Sequence, residues 1–421
     1  MHENNYHIFR NKENYILFLT EEKQAFTISE KEYNSIYAKK DECSIIEKYI
    51  KSIEKYKNNK SYTGKDYIYE LYLCVANCCN AKCSYCFAGQ GSYGKEKGIM
   101  SVETAHKAVD RFMEIVPFDC TAVITYFGGE PLMAYSVIEN CCKYITEKYK
   151  NRKYEFHITT NATLLDKEMI DFFAENKFKI AVSIDGGAVI QNAQRPLRNG
   201  NDSFVEATKF LPYMQEKKLR LLARGTYTNF DVSLAQCYNE ILKLGFEEVN
   251  IEPDILDKKR EYDMDKLLGQ LDVLHDYIVD YVKTRNDFPF GLFKMQMRRL
   301  FIPLKKELRG CGAGKVTFAV DIKGDMFPCH RHSSMPETAM GNVWEPQQSM
   351  SFLDIDYQGA NCAFCWNRYT CSHGCMYEDK SISGSYYVKN PYFCKYSKKI
   401  TEIAISLCSE MDHNRLIRIL L

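Results

Sequence analysis

The strongest chemical signal in the sequence is cysteine at short, fixed spacing. Cys79-Asn-Ala-Lys-Cys83-Ser-Tyr-Cys86-Phe87 brings three thiols together in one short loop, and thiolates are ligands of choice for soft metals. A structural zinc or a fully protein-ligated [4Fe–4S] cluster takes four such ligands, so a loop of three leaves one position for another molecule. A zinc loop completed by Cys74 or Cys78 is the alternative use of these residues. A second field opens at Cys311. Twelve residues separate it from Gly324 and four more precede Cys329; then come Cys362-x2-Cys365-x5-Cys371-x3-Cys375 and, last, Cys394. Seven cysteines fill one four-ligand site and leave a second without a clean fourth ligand. A pair of zinc ribbons is the competing reading, since Cys-x2-Cys suits zinc too. His330 and His332 flank Cys329 as further candidate ligands, or as solvated loop residues.

These fields use ten of the eighteen cysteines; Cys43, Cys74, Cys78, Cys120, Cys141, Cys142, Cys237 and Cys408 are expected to be ordinary buried residues. Met1 to Arg10 lacks the apolar run of a signal peptide, and no stretch reaches the ~18 apolar residues that span a bilayer. A cytoplasmic protein is expected. Thiols stay reduced there, so clustered cysteines imply metal rather than disulfides. The 56 basic residues nearly cancel the 55 acidic ones, which argues against nucleic acid and membrane surfaces as partners.

The elements that must carry these loops are legible from periodicity. Tyr6–Phe9, Tyr15–Leu19 and Ala25–Ile28 read as a small antiparallel sheet. Ser29 and Glu32 form a capping box, and a second helix puts Ile46, Tyr49, Ile50, Ile53 and Tyr56 on one face before the polar boundary Lys57 to Lys65. From Tyr67 to about Pro253 strands and helices alternate. Six strands are expected, centred on Leu71–Leu73, Ala122–Phe127, Phe156–Thr159, Ile180–Ile184, Leu221–Thr226 and Val249–Ile251. Six βα units make three quarters of an eight-stranded barrel and leave a lateral opening. Residues 262 to 308 read as helical, with Leu267, Leu271, Leu274, Ile278 and Tyr281 on one face.

A three-cysteine loop directly after the first barrel strand, followed by the aromatic Phe87, resembles the radical S-adenosylmethionine (SAM) superfamily. That resemblance implies a [4Fe–4S] cluster whose free iron is chelated by the amino and carboxylate groups of SAM, with reductive cleavage to methionine and a 5′-deoxyadenosyl radical. It also implies a SAM pocket from Gly128, Glu130, Pro131 and Gly129 at the end of the second strand and from Thr160 and Asn161 at the end of the third. Ser183 and Asp185 at the fourth, and Arg224 and Thr226 at the fifth, fall where the family lines its ribose and carboxylate pockets. Arg195 fits the same pattern, with Arg198 as its alternative. The seven-cysteine pattern resembles the SPASM extension of peptide-modifying radical SAM enzymes at every spacing. By that resemblance Cys362, Cys365, Cys371 and Cys394 ligate a distal auxiliary cluster and Cys311, Cys329 and Cys375 a proximal one, for three [4Fe–4S] clusters in all.

The N-terminal sheet and helices resemble the leader-peptide recognition element of such maturases. The expected organisation is therefore α/β: a recognition domain over 1–65, a partial (β/α)6 barrel over 66–260, a helical bridge over 261–308 and a cysteine-rich SPASM domain over 309–421. The expected activity is hydrogen abstraction from a ribosomally made precursor peptide, installing Cys-to-carbon thioether crosslinks of the sactipeptide or ranthipeptide type. An external electron donor such as flavodoxin or ferredoxin is implied. Alternatives are formylglycine formation, as in sulfatase maturases, carbon–carbon crosslinking, or a non-catalytic zinc or iron–sulfur scaffold. Sulfatase maturases carry an aspartate base where this chain has His330, and no residue is singled out here as a catalytic acid or base.

Overall fold

The computed structural model describes residues 5–54, 68–255, 263–301, 311–345, 362–371 and 374–420. The expected boundary at Lys57 to Lys65, Tyr56, and the ends of the 262–308 helical segment lie outside the described residues. The chain begins with a three-stranded antiparallel sheet, β1 (Tyr6–Asn11), β2 (Asn14–Leu19) and β3 (Gln24–Ile28), in that order. Helix α1 (Glu30–Tyr37) starts at the expected capping box: Ser29 Oγ accepts from Glu32 N, and Glu32 Oε2 accepts from Ser29 N. Helix α2 (Glu42–Glu54) follows.

The six expected barrel strands are β4 (Ile68–Ala76), β5 (Thr121–Gly128), β6 (Lys153–Thr160), β7 (Lys179–Ser183), β8 (Arg220–Tyr227) and β9 (Glu248–Pro253). They are parallel and adjacent in sequence order. The crossovers run through α3 (Val102–Ile115), α4 (Tyr135–Lys148), α5 (Lys167–Glu175), α6 to α8 (Ala188–Gln194, Ser203–Thr208, Leu211–Glu216) and α9 (Leu234–Leu242). After α10 (Met264–Thr284) and α11 (Gly291–Phe301), two further strands extend the sheet: β10 (Thr317–Val320) pairs parallel to β4, and β11 (Met326–Phe327) pairs antiparallel to β10. Helices α12 (Met376–Ser383), α13 (Pro391–Ser409) and α14 (His413–Leu420) complete the chain. Among the described residues no helix is long and apolar enough to cross a membrane.

The described residues fall into two compact units. One lies within Met1–Gly64, Ile255–Cys311 and Asp356–Leu421, the other within Lys65–Asp254 and Gly312–Ile355. In the barrel unit, Leu71 and Phe318 meet Ala108 and Phe112 of α3, so the alternate strand residues face away from the helices. That inner face is polar. The register aligns Tyr72 with Thr125, Thr125 with His157, His157 with Lys179 and Lys179 with Arg220, and Thr125 Oγ1 donates to Glu70 at 2.7 Å. Burial raises the Glu70 pKa, as expected for a carboxylate in a partly closed barrel.

In the other unit the central strand β2 is covered on both sides. Leu17 and Leu19 pack with Ile28, Ile36 and Ile46, while Phe18 on the opposite face meets the edge of Trp366. The Trp366 ring also stacks on His7 at 3.8 Å, and the buried Arg368 donates to Asn5 Oδ1 and Glu21 Oε1 at 2.8 and 2.7 Å. The N-terminal sheet is thereby fastened to the cysteine-bearing segment 362–371. Of the eight cysteines expected to be ordinary core residues, Cys74, Cys120, Cys141, Cys142 and Cys237 are buried. Cys78 and Cys408 are half-buried, and Cys43, in the first turn of α2, is exposed. Leu17 is 0% exposed, so Leu17→Ala should destabilise this unit by about 2–5 kcal/mol through lost burial and the cavity left behind. Urea denaturation of the full chain checks this, and an unchanged midpoint would show that the sheet is not part of a cooperative core.

Candidate cluster and SAM site

Strand β4 ends in a buried apolar run, and the chain then turns into the three-cysteine loop. Cys79, Cys83 and Cys86 are half-buried and close enough to interact electrostatically. Burial pushes the Cys79 thiol up to about 12, and the neighbouring Glu130, Cys83 and Cys86 add to the rise. Burial raises Cys83 as well, while the charge of Arg195 opposes it. Thiols crowded in this way ionise together only when a cation sits among them, which is the donor chemistry a cluster iron requires. The two possible fourth ligands point elsewhere: Cys74 Sγ lies 3.9 Å from Ser333 Oγ, and Cys78 Sγ lies 4.0 Å from the Gly98 carbonyl. Among the described residues no group of three or more His, Cys, Asp or Glu side chains converges on a point that would hold a single metal ion. Three thiolate donors with no fourth suit a [4Fe–4S] cluster that keeps one iron open.

Four sets of contacts hold the loop without help from metal. The segment 194–198 runs antiparallel to 80–84: Lys82 N donates to Pro196 O, Ser84 N to Gln194 O, and Arg198 N to Asn80 O. Arg198 Nε also donates to Cys79 O at 2.9 Å, so Arg198 supports the loop backbone. Asn80 is tied to the end of β6, accepting from Asn161 Nδ2 and donating to Thr163 Oγ1, both at 2.8 Å. The end of β5 comes against the loop: Gly129 N donates to Ala76 O and Glu130 N to Cys78 O. A Cβ at Gly129 would collide with the Cys78 carbonyl, and one at Gly91 would sit 2.8 Å from Cys79 Cβ, so glycine is required on both sides of this approach. Finally Lys95, a few residues on, pairs with the buried Asp321 at 2.6 Å and fixes the loop's far end to the turn after β10.

The expected SAM residues gather at the ends of β5 to β8. Gly128 closes β5 with φ +139°, and Pro131 opens a short turn of 3-10 helix. Glu130 is 1% exposed and accepts from Thr160 Oγ1 (2.6 Å), Leu132 N (3.1 Å) and Asn161 N (2.7 Å). A carboxylate offers about four acceptor directions. Three donors therefore leave Glu130 one more, enough for an ammonium group. Burial nevertheless raises its pKa to about 7, against the pull of those three donors. Ser183 ends β7 half-buried, Arg224 on β8 is exposed, and Thr226 N donates to Asp185 Oδ1. Asp185 itself is paired with Arg195.

In the other unit Cys362, Cys365, Cys371 and Cys394 line one cavity together with Arg368, Lys389 and Lys398. Burial pushes Cys394 up to about 11, with Cys371, Cys362 and Cys365 each contributing repulsion. Four cysteines around one hollow that Arg368, Lys389, Lys398 and Asp379 also line have the donor number of a fully protein-ligated cluster. Cys311 and Cys375 belong to this unit and Cys329 to the barrel unit, where its sulfur lies 3.2 Å from His332 Nδ1. The His330 ring packs against Tyr72 (4.3 Å) and Phe127 (4.6 Å), with Phe87 6.0 Å away. Burial, aided by the charges of Arg331 and Arg224, lowers its pKa to about 3.

Residues 73–229 match the family model described as the Radical SAM superfamily. This stretch of the chain is a radical SAM domain. The sequence of the chain is 24% identical over 364 residues to the cysteine-type anaerobic sulfatase-maturating enzyme of Clostridium perfringens, covering 80% of this chain and 96% of that protein. Its fold is similar to native anSMEcpe with bound AdoMet and Cp18Cys peptide, with TM-score 0.68 and 21% identity over 84% of this chain and 99% of that one. It is also similar to Streptococcus suis SuiB bound to precursor peptide SuiA, with TM-score 0.53 and 16% identity over 90% of this chain and 95% of that one. A radical SAM domain works with a [4Fe–4S] cluster and SAM, and the loop after β4 has the donors for the former.

Sequence reasoning missed several residues that hold this radical SAM site together: Asn80, Tyr85, Gly91, Lys95, Thr163 and Asp321. Gly91 had a signal, the run Gly89-Gln90-Gly91 just after the cysteines; the others partner residues far away in the chain. Glu130 yields a test. Because its folded pKa lies above the ordinary carboxyl value, its contribution to stability is complete below that ordinary value and is lost as pH rises through about 7. The melting temperature of the metal-free enzyme should therefore carry a downward component between pH 5 and 8 that Glu130→Gln removes. The glutamine should also cost about 1–3 kcal/mol, since its NH2 group meets the Asn161 N–H donor. Parallel pH profiles for the two proteins would contradict this assignment.

Proposed function

We propose that this radical SAM enzyme is a maturase that abstracts hydrogen from a ribosomally made peptide and links a cysteine sulfur to carbon. The observation that carries the reading is the three-thiol loop whose possible fourth ligands, Cys74 and Cys78, face elsewhere. Cys79, Cys83 and Cys86 would hold a cluster with one iron open to SAM, which when bound supplies the hydrogen-abstracting radical. Glu130, with one unused acceptor direction, and Gly128, Gly129 and Pro131 would face the SAM amino group. Thr160, Asn161, Ser183, Arg195, Arg224 and Thr226 are proposed to border the rest of it. Cys362, Cys365, Cys371 and Cys394 would carry the distal auxiliary cluster, making three clusters with the proximal one on Cys311, Cys329 and Cys375.

A precursor peptide as substrate is supported by the two similar structures solved with peptides bound. Within this chain, β3 is an edge strand that pairs only with β2 among the described residues and is largely exposed, so an extended leader could add to it as a fourth strand. The thioether preference rests on the three-cysteine proximal set, whose open position suits a substrate thiolate. Electrons would come from a donor such as flavodoxin or ferredoxin in the cytoplasm. Formylglycine formation is the second reading, favoured by the similarity to a sulfatase-maturating enzyme. It is weakened by His330, which stands in place of an aspartate base and is packed among aromatic rings.

Replacing Cys79, Cys83 or Cys86 by Ala should remove about four irons per chain and abolish deoxyadenosine production, with the auxiliary irons retained. Retained SAM cleavage would refute the cluster assignment. With the intact enzyme and a cysteine-containing peptide, mass spectrometry should show loss of two hydrogens per crosslink with sulfur kept. Loss of sulfur from the peptide would instead establish formylglycine chemistry.

A further inference from the structure

Asp185, which the resemblance places at the SAM pocket, has both carboxylate oxygens engaged within the protein. Its side chain is wholly buried, and each oxygen accepts twice: Oδ1 from Arg195 Nη2 (2.9 Å) and Thr226 N (2.8 Å), Oδ2 from Arg195 Nε (3.0 Å) and Tyr85 Oη (2.5 Å). Four donors occupy the roughly four lone-pair directions of a carboxylate. The donors also explain what the residue is for. Tyr85 lies between Cys83 and Cys86, so its hydroxyl ties the loop to the chain just beyond β7. Arg195 belongs to the segment that pairs with 80–84, its guanidinium lies 5.3 Å from the centre of the Tyr85 ring, and its charge acts on Cys83. Gln191 Oε1 accepts from Asp185 N at 2.9 Å and fixes the backbone on which the carboxylate stands.

We propose that Asp185 is a positioning residue for the cluster loop, locking Tyr85 and Arg195 into one buried unit and neutralising the guanidinium charge beside Cys83. This rests on the reading that Cys79, Cys83 and Cys86 carry the SAM-binding cluster. A bidentate Arg–carboxylate pair is geometrically stiff, and each further donor adds a charge-assisted bond. Removing the carboxylate charge leaves a bare cation near a cluster thiolate, and added positive charge makes a cluster easier to reduce. Removing only the Tyr85 hydroxyl loosens the loop and leaves the charge balance untouched. The two changes therefore have different signatures.

The test uses the reconstituted holoenzyme, following the EPR signal that changes on addition of SAM and so belongs to the site cluster. Asp185→Asn should move its midpoint potential in the positive direction and speed iron loss to a ferrous chelator by roughly tenfold. Tyr85→Phe should speed iron loss while keeping the wild-type potential. Wild-type potential and iron loss in Asp185→Asn would overturn the proposal, as would an equal potential shift in Tyr85→Phe. If Asp185→Asn fails to fold, Arg195→Lys decides with Tyr85→Phe. Lysine keeps the charge and loses the fork, so faster iron loss at wild-type potential supports the role, and wild-type iron loss in both variants overturns it. A wild-type enzyme with no SAM-responsive cluster would instead refute the underlying cluster assignment, and the positioning role with it.

Discussion

A loop that presents three thiols and no fourth must take its shape from the protein, because the metal it is suited to hold is not fully enclosed by it. The contacts that supply this shape are backbone contacts first. Residues 80–84 pair with 194–198, and the turn at Gly129 and Glu130 hydrogen bonds to Ala76 and Cys78. Side chains such as Asn80 and Tyr85 then fix the loop to the ends of β6 and the chain after β7. Apart from 194–198, which begins at the end of α6, these partners lie at or just beyond the C-terminal ends of parallel strands. That end is where a parallel βα sheet leaves polar backbone and loop residues free to build a site, so the geometry of the sheet dictates where the loop can be anchored.

Two buried carboxylates differ in how much of their hydrogen-bonding capacity the protein uses. Glu130 accepts three donors and Asp185 four, and both are almost fully buried. The difference of one acceptor direction separates a group that can still receive an ammonium from one that cannot. Electrostatics points the same way. Asp185 has the Arg195 cation as partner, whereas Glu130 has only neutral donors and titrates near neutrality, where a nearby positive charge would hold it ionised.

How much of this was legible in the sequence follows from how far apart the partners lie along the chain. The six barrel strands are runs of five to nine residues with apolar residues at their buried positions, bounded by turns, and local periodicity finds them. The cysteine loop is a local spacing and was equally visible. Strands β10 and β11, of four and two residues, carry no periodic signal and exist because the edge of β4 is there to pair with. The loop's fastenings escaped notice for the same reason: Tyr85 meets Asp185 across a separation of 100 residues, and Lys95 meets Asp321 across 226. Asp185 and Arg195 were visible as candidates by resemblance, but that they pair with each other is a property of the fold.

The same logic extends to the unit that carries the four-cysteine cavity. Its Cys362 to Cys371 segment contains Trp366 and Arg368, and these residues contact the N-terminal sheet through His7, Asn5 and Glu21. Two residues along, Thr370 is joined through Gln296 to Thr401 on α13, the helix that bears Cys394. The residues between the cavity's cysteines thus contact a sheet whose third strand pairs, among the described residues, on one edge only. Occupation of the other edge by an extended peptide would stiffen β3 against β2, and β2 packs directly on Trp366 through Phe18. Packed rings thus connect the sheet to the cysteine segment within one compact unit.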